Sequence, residues 1–254
     1  MSYRQADAGY GRVRMPGGYS LRSAATAFVP TDIAGVFLWL DADDASTITD
    51  AGAGAVSEWR DKSGNARHVS QATAGDRPTT GSVTVNGLNA LAFAGDKLVR
   101  DPTTLVALGS HTRFIVATPS SVASRYLFQL LNKAGGAQFA FISAYSSVAY
   151  EEYAATVATV RYGIGPAGAT GVNLLTTKRD GTAWASRFNG AASGSATSTS
   201  AALEVTAIGV GGSISDPGMT GTIAEILVYD SALSTEQVAQ VESYLATKWG
   251  VTLA

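Results

Sequence analysis

The side chains able to do chemistry gather in two short stretches. "DADD" (41–44) puts three carboxylates in four positions, and "EWRDKSGN" (58–65) mixes a Trp, two acids, two basic groups and a Ser-Gly turn. Asp and Ser side chains accept hydrogen bonds from backbone N–H groups a residue or two further on, which is how they shape tight loops. The second stretch is therefore expected to be a structural corner. Trp59 would bury its ring, Asp61 and Ser63 would brace the bend, and Gly64 would take a backbone angle closed to other residues. Arg60 and Lys62 would point to water. Two other readings use the same residues. Asp61 with Asp41 or Asp43 can offer oxygens to calcium, which takes several; no EF-hand spacing is present, so the expected metal complement is none, with these three aspartates as the candidates if calcium binds. Catalysis is the third reading.

Catalytic pairs elsewhere are hard to find. Glu151 and Glu152 are adjacent, so on a strand they face opposite ways. Glu225 and Asp230 are five apart and do the same. Glu225 interrupts the apolar run "GTIAEILVYD" (221–230) and is expected to pair with a basic group. His68 and His111 are the only histidines, and no G-x-S-x-G elbow accompanies them. "GVGGSIS" (209–215) lacks the Lys of a phosphate-binding loop. For ligand contact the candidates are aromatic. Tyr145, Tyr150 and Tyr153 lie among Ser and Glu, and Trp184 shares a strand face with Ser186 and Phe188. Tyr and Trp pair an apolar body with a polar tip, which suits sugars and proteins; the competing role for all four is filling the core or its rim.

The elements that must position these residues read as short strands. "GVFLWL" (35–40), "RFIVAT" (113–118), "QFAFISAY" (138–145), "VATVRYGI" (157–164), "VNLLTT" (172–177), "TAWASRFN" (182–189) and "GTIAEILVYD" (221–230) are rich in β-formers and bounded by Gly, Asn, Asp and Ser. Asn86-Gly87, Asp180-Gly181 and Asn189-Gly190 are hairpin signals. "AASGSATSTSAA" (191–202) is low in complexity and is expected to be a flexible loop. A helix closes the chain over 234–249. Ser234 and Gln237 form a capping box, Val238, Val241, Tyr244, Leu245 and Trp249 make one apolar stripe, and Gly250 suits the left-handed stop. It is expected to pack on the sandwich.

Composition bounds the rest. The 254 residues are 46% hydrophobic and 15% charged, enough for a sizeable core, with no cysteine and a net charge of −2. That charge gives no reason to expect nucleic acid or an anionic membrane as partner. No apolar run approaches the ~20 residues that span a bilayer. Residues 1–30 differ: Arg4, Arg12, Arg14 and Arg22 against Asp7 give a net +3, without helical or strand periodicity. They are expected to form an extended assembly arm docking on a neighbouring chain. "MSYRQADAGYGRVRMPGGYSLRS" has no apolar core of a signal peptide, so synthesis in a cytoplasm is expected.

"LWLDADDASTI" (38–48), "VSEWRDKSGNARH" (56–68), "DRP" (76–78), "GLNALAFAGDKL" (87–98) and the tail "GTIAEILVYDSALSTEQVAQVESYLATKWG" (221–250) together resemble the concanavalin A-like lectin/glucanase superfamily, in its laminin-G-like jelly-roll branch, over residues 33–254. The resemblance implies an all-β, two-sheet antiparallel jelly-roll sandwich with one C-terminal helix, here occupying residues 31–254 behind the arm. Glucanases of this superfamily carry E-x-D-x-E or E-x-D-x-x-E, which this sequence lacks, so a glycoside hydrolase is disfavoured. Relatives of this branch occur in bacteriophage virions. The sequence-based expectation is therefore a non-enzymatic virion surface component, such as a capsid decoration, head fibre or tail fibre. It would be held by its arm to other virion proteins and to copies of itself, and would contact host-surface glycans. The alternative is a stand-alone carbohydrate-binding lectin-like module.

Overall fold

The computed structural model describes residues 27–101, 106–120, 125–132, 138–145, 148–155, 159–165, 171–197, 203–212 and 218–254. The expected arm, with its four arginines, lies outside the described residues except at 27–30. The strands are β1 (Val36–Asp41), β2 (Ile48–Asp50), β3 (Val56–Trp59), β4 (Val69–Ser70), β5 (Thr79–Val85), β6 (Leu88–Ala94), β7 (Leu98–Arg100), β8 (Val106–Leu108), β9 (His111–Pro119), β10 (Arg125–Leu131), β11 (Gln138–Tyr145), β12 (Val148–Ala155), β13 (Thr159–Gly165), β14 (Asn173–Asp180), β15 (Ala183–Phe188), β16 (Ala191–Thr197), β17 (Leu203–Val205), β18 (Ala207–Val210) and β19 (Thr220–Tyr229), followed by helix α1 (Thr235–Trp249).

Two antiparallel sheets pack face to face. One runs β16-β15-β14-β9-β19-β6-β5, the other β13-β12-β11-β10-β18-β7-β4-β3-β2, and β8 pairs with β17 apart from both. β19 is the centre of the first sheet: β9 lies along one side, while β6 and β1 share the other, β6 against Thr220–Ile223 and β1 against Glu225–Tyr229. Strand alternation separates two cores. Leu38, Leu40, Ile226 and Val228 face the other sheet with Trp59, Phe128 and Ile208. Trp39, Leu227 and Tyr229 face outward and are covered by Val238, Val241, Leu245 and Trp249 of α1. A bulge between Val36 and Leu38 lets Phe37 join Leu38 on the inner side.

The three Asx-Gly signals all mark real hairpins, β5–β6, β14–β15 and β15–β16. The low-complexity stretch does not form the expected loop throughout: 191–197 is strand β16, paired along β15. Ser, Ala and Gly carry weak strand preference, but an Asn-Gly turn and an existing edge recruit them. Helix α1 starts and stops where its caps predict. Ser234 accepts from the Gln237 N–H, Gln237 returns the bond, and Gly250 stands at φ +70. The protein is thus an all-β two-sheet sandwich with one C-terminal helix. Among the described residues no helix is long and apolar enough to cross a membrane.

Candidate functional site

The 58–67 segment is built around one carboxylate. Asp61 is buried, and its Oδ1 accepts from the N–H groups of Trp39 and Ser63, its Oδ2 from Ser63 Oγ and the Arg67 N–H. The Asp61 N–H itself donates to His68 Nδ1 at 3.0 Å, which leaves the His68 proton on Nε2. Asp61 therefore ties a sequence-distant strand, β1, to the loop. Gly64 adopts φ +87 as the turn demands, and Trp59 is fully buried. Lys62 departs from expectation. It does not point to water: its Nζ bridges Asp41 at 2.9 Å and Asp44 at 2.8 Å, and lies 4.3 Å from the centre of the Trp39 ring. Burial opposes the Lys62 charge, but Asp44 and Asp41 outweigh it and the net shift is upward. In return the Lys62 hydrogen bond, with that from Ser46, lowers Asp44 to about 2.

A second carboxylate cluster lies beneath α1. Register places Asp41 of β1 directly beside Glu225 of β19, both on the helix side. Lys248 reaches between them, 2.6 Å from Asp41 Oδ1 and 2.8 Å from Glu225 Oε2. Glu225 also accepts from Trp39 Nε1 (2.8 Å), Trp249 Nε1 (2.7 Å) and the Tyr244 hydroxyl (3.1 Å). The pairing expected for Glu225 is thus with Lys248, across the helix–sheet contact. Burial pushes the Glu225 carboxyl upward, and Asp41 adds to it; Lys248 and the Trp249 indole pull it back. Glu225 is 0% exposed. Two neighbouring carboxylates are what glycoside chemistry uses, but this pair is buried, with Asp41 4% and Glu225 0% exposed. Its chemistry is cohesive: breaking such a buried pair costs about 3–5 kcal/mol. A sister contact holds the same helix further along, where buried Glu242 accepts from Thr176 Oγ1 and Arg187 Nε.

These partners dispose of the calcium candidates. Both oxygens of Asp41 face lysine ammoniums, those of Asp61 are spent on N–H and O–H donors, and Asp43 turns to the Asn89 N–H. Among the described residues no three acidic or histidine side chains converge on a cation position. Trp184 is also corrected as a ligand platform. It is 1% exposed, in the inter-sheet core, with the neutral ring of His111 edge-on at 5.8 Å. Burial and Arg113 hold His111 well below the usual range. Tyr145 ends β11, and Tyr150 and Tyr153 lie in β12, opposite Ser143 and Ala140; their side chains lie outside what the structure describes.

What sequence reasoning missed is the ground just past the corner. Asn65 and Arg67, with Phe37, line two adjoining clefts at the open end between the sheets. The outer one, about 350 Å³, adds Ser63, Gly35 and Asp230; the inner one, about 220 Å³, adds Arg100, Val106, Val205 and Thr206. The Arg67 guanidinium stacks 3.9 Å from the Phe37 ring centre and donates from one terminal nitrogen to Phe37 O. Its other N–H groups have no acceptor among the described residues. Asn65 donates through Nδ2 to Val36 O, Phe37 O and Ser63 Oγ, and its Oδ1 has no donor among the described residues. The Asp230 carboxylate and the Arg100 guanidinium make no hydrogen bond among the described residues. A side chain at Gly35 would overlap Asp230 Oδ1, so glycine is what lets the carboxylate sit at the cleft. Between Asn65 and Arg67, Ala66 takes φ +53, a left-handed angle that costs a residue with a Cβ about 1 kcal/mol or more. A further recess of about 380 Å³ lies between β14–β16 and the start of α1. Its two cations are engaged, Lys178 with Leu233 O and Arg187 with Glu242.

No family model and no curated protein matches the sequence. Solved structures do match. Domain 4 of AbnA, a GH43 extracellular arabinanase from Geobacillus stearothermophilus in complex with arabinotriose, superposes with a TM-score of 0.62 at 12% identity, covering 82% of this chain and 98% of that one. Trypanosoma rangeli sialidase in complex with the inhibitor DANA gives 0.58 at 13%, covering 85% of this chain and 34% of that one. An arabinofuranosidase complexed with arabinofuranosyl-alpha-1,2-xylobiose gives 0.61 at 14%, covering 85% and 60%. The chain thus spans about a third of the sialidase and less than two thirds of the arabinofuranosidase. At these identities the likeness shows the fold alone, a two-sheet β-sandwich. It also corrects two expectations. The bacteriophage surface component finds no counterpart among these structures, which belong to carbohydrate-active proteins. The non-enzymatic assignment is withdrawn with it, because the same structures are parts of glycoside hydrolases.

Proposed function

We propose that residues 31–254 form a carbohydrate-binding, lectin-like module, of the laminin-G-like branch, whose ligand lies in the cleft lined by Ser63, Asn65, Arg67 and Asp230. The observation that carries this reading is unspent hydrogen-bonding capacity at one open place. Asn65 Oδ1 and the Asp230 carboxylate offer acceptors with no donor among the described residues, and Arg67 offers the N–H groups it has not given to Phe37 O. Sugar hydroxyls donate and accept at once, and flat carboxamide, carboxylate and guanidinium groups match two adjacent ones. Asn65 and Asp230 are exposed and Arg67 is half-buried, so these groups are open to an incoming molecule, unlike the buried network around Glu225. The strain at Ala66 fits the same reading, since strained backbone concentrates at ligand sites. The sugar-bound arabinanase domain, matched over nearly its whole length, adds support from outside the chain.

The test is a glycan array followed by calorimetry on the full chain, with wild type and Asp230→Ala compared and reducing ends assayed alongside. Wild type is expected to retain a defined glycan set, and Asp230→Ala to bind it about tenfold more weakly or worse at unchanged melting temperature. Failure of the wild type to bind any glycan would end the proposal.

A further inference from the structure

Resting on that reading, we infer that the sugar taken by the cleft is an acidic one, its carboxylate held between Arg67 and Arg100. The inner cleft is lined by both guanidiniums and by Phe37, Asn65, Val106 and Thr206, and no lining residue is acidic. Arg100 ends β7 opposite Ile208 and on the face of Leu98, so it stands at the mouth of the inter-sheet space, half-buried. It makes no hydrogen bond or ion pair among the described residues, although a half-buried guanidinium loses hydration that something should replace. Arg67 has spent one nitrogen on Phe37 O. Its nearest acids do not reach into this inner space: Asp61 is saturated by its own loop and Asp230 lines only the outer cleft.

The two cations also disfavour each other. Burial lowers the Arg67 pKa, Asp61 opposes that, and Arg100 adds to the lowering, with Asp230 on the favourable side. Two like charges kept at one small opening, on a sequence whose residues 31–254 carry a net charge of −5, are stabilised by an anion placed between them. Guanidinium forks take carboxylates with two parallel bonds. The neutral part of the sugar would then face Asn65 Oδ1 and Asp230 in the outer cleft, which is continuous with the inner one through Asn65, Arg67 and Phe37.

The experiment titrates the full chain with matched pairs of oligosaccharides, glucuronic-acid-terminated against glucose-terminated and sialylated against unsialylated lactose, with a sulfated lactose as a third arm. The carboxylated member of at least one pair is expected to bind about tenfold tighter or more than its neutral partner, the worth of a charge-assisted pair. Arg100→Gln should erase that preference, bringing the acidic and neutral partners to equal affinity, while Arg100→Lys, which keeps charge without the fork, should keep part of it. Melting curves of both variants establish that they are folded. Equal binding of acidic and neutral partners, or selection of the sulfated sugar alone, overturns the inference while the carbohydrate reading stands. Absence of binding to every sugar removes both.

Discussion

Two polar assemblies lie on either side of β1, and they differ in what is left over. Under α1, Glu225, Asp41, Lys248 and Lys62 form a chain in which every ammonium touches two carboxylates and Glu225 receives four donors. At the sheet ends, Asn65, Arg67, Arg100 and Asp230 keep bonding capacity in hand. The residue types are nearly the same. Access and satisfaction separate them: the closed assembly fastens a helix to a sheet, and the open one can add bonds to an incoming molecule. Charged residues by themselves mark neither role.

That contrast can be broken by substitution. The largest effect is expected at the closed assembly. Glu225→Ala leaves two indole N–H groups without their acceptor in a buried place and takes from Lys248 one of its two carboxylates, and should cost about 3–5 kcal/mol, read by urea denaturation. Any folded fraction should bind glycan as wild type does. The same residue gives a pH signature. Glu225 titrates above the ordinary carboxylate range, so the folded chain keeps a proton there that the unfolded chain has released. Stability attributable to it is fullest at pH below that ordinary range and declines as pH rises through the interval up to the raised value. Glu225→Gln should flatten that slope; an unchanged slope would assign the pH dependence elsewhere.

Asp61→Ala comes next, because it belongs to both assemblies' scaffolding. It removes four accepted bonds, one of them to β1. We expect a loss of about 2–3 kcal/mol together with weaker glycan binding, since the loop carrying Asn65 and Arg67 is released. Stability loss without any loss of binding would separate the corner from the cleft. The smallest effect is the most discriminating. Ala66→Gly relieves a left-handed angle and should raise stability by up to about 1 kcal/mol while lowering affinity, because the loop is less fixed before binding. If both rise together, the strain serves no ligand.

Local sequence pattern reveals what is local. Hairpins announced by Asn86-Gly87 and Asn189-Gly190, and a helix framed by Ser234 and Gly250, follow from rules acting over a few residues. Glu225 in an apolar run was legible as needing a cation, because burial of a lone charge is costly. That the cation is Lys248 was not, nor that Trp39, 186 positions away, would donate to it. Lys62 was read as solvated because a Lys beside a turn usually is; a register 21 residues distant supplies Asp41. Trp184 was legible as sharing a face with Phe188, but which face is inner depends on sheet packing. The cleft was invisible for a related reason. Its signal is a set of missing partners, and a partner can be missed only once the fold has assigned all the others.

The place of β19 in the chain governs how the molecule comes into being. This strand joins β9, β6 and β1, yet at Thr220–Tyr229 it follows all three in the chain. A growing chain would hold β1, β6 and β9 without their common neighbour until residues 220–229 had been made. Such unpaired edges invite association between chains and slow, non-local assembly. The first sheet is therefore incomplete until β19 is in place, and a chain cut just before Thr220 is expected to aggregate rather than fold into a smaller working protein.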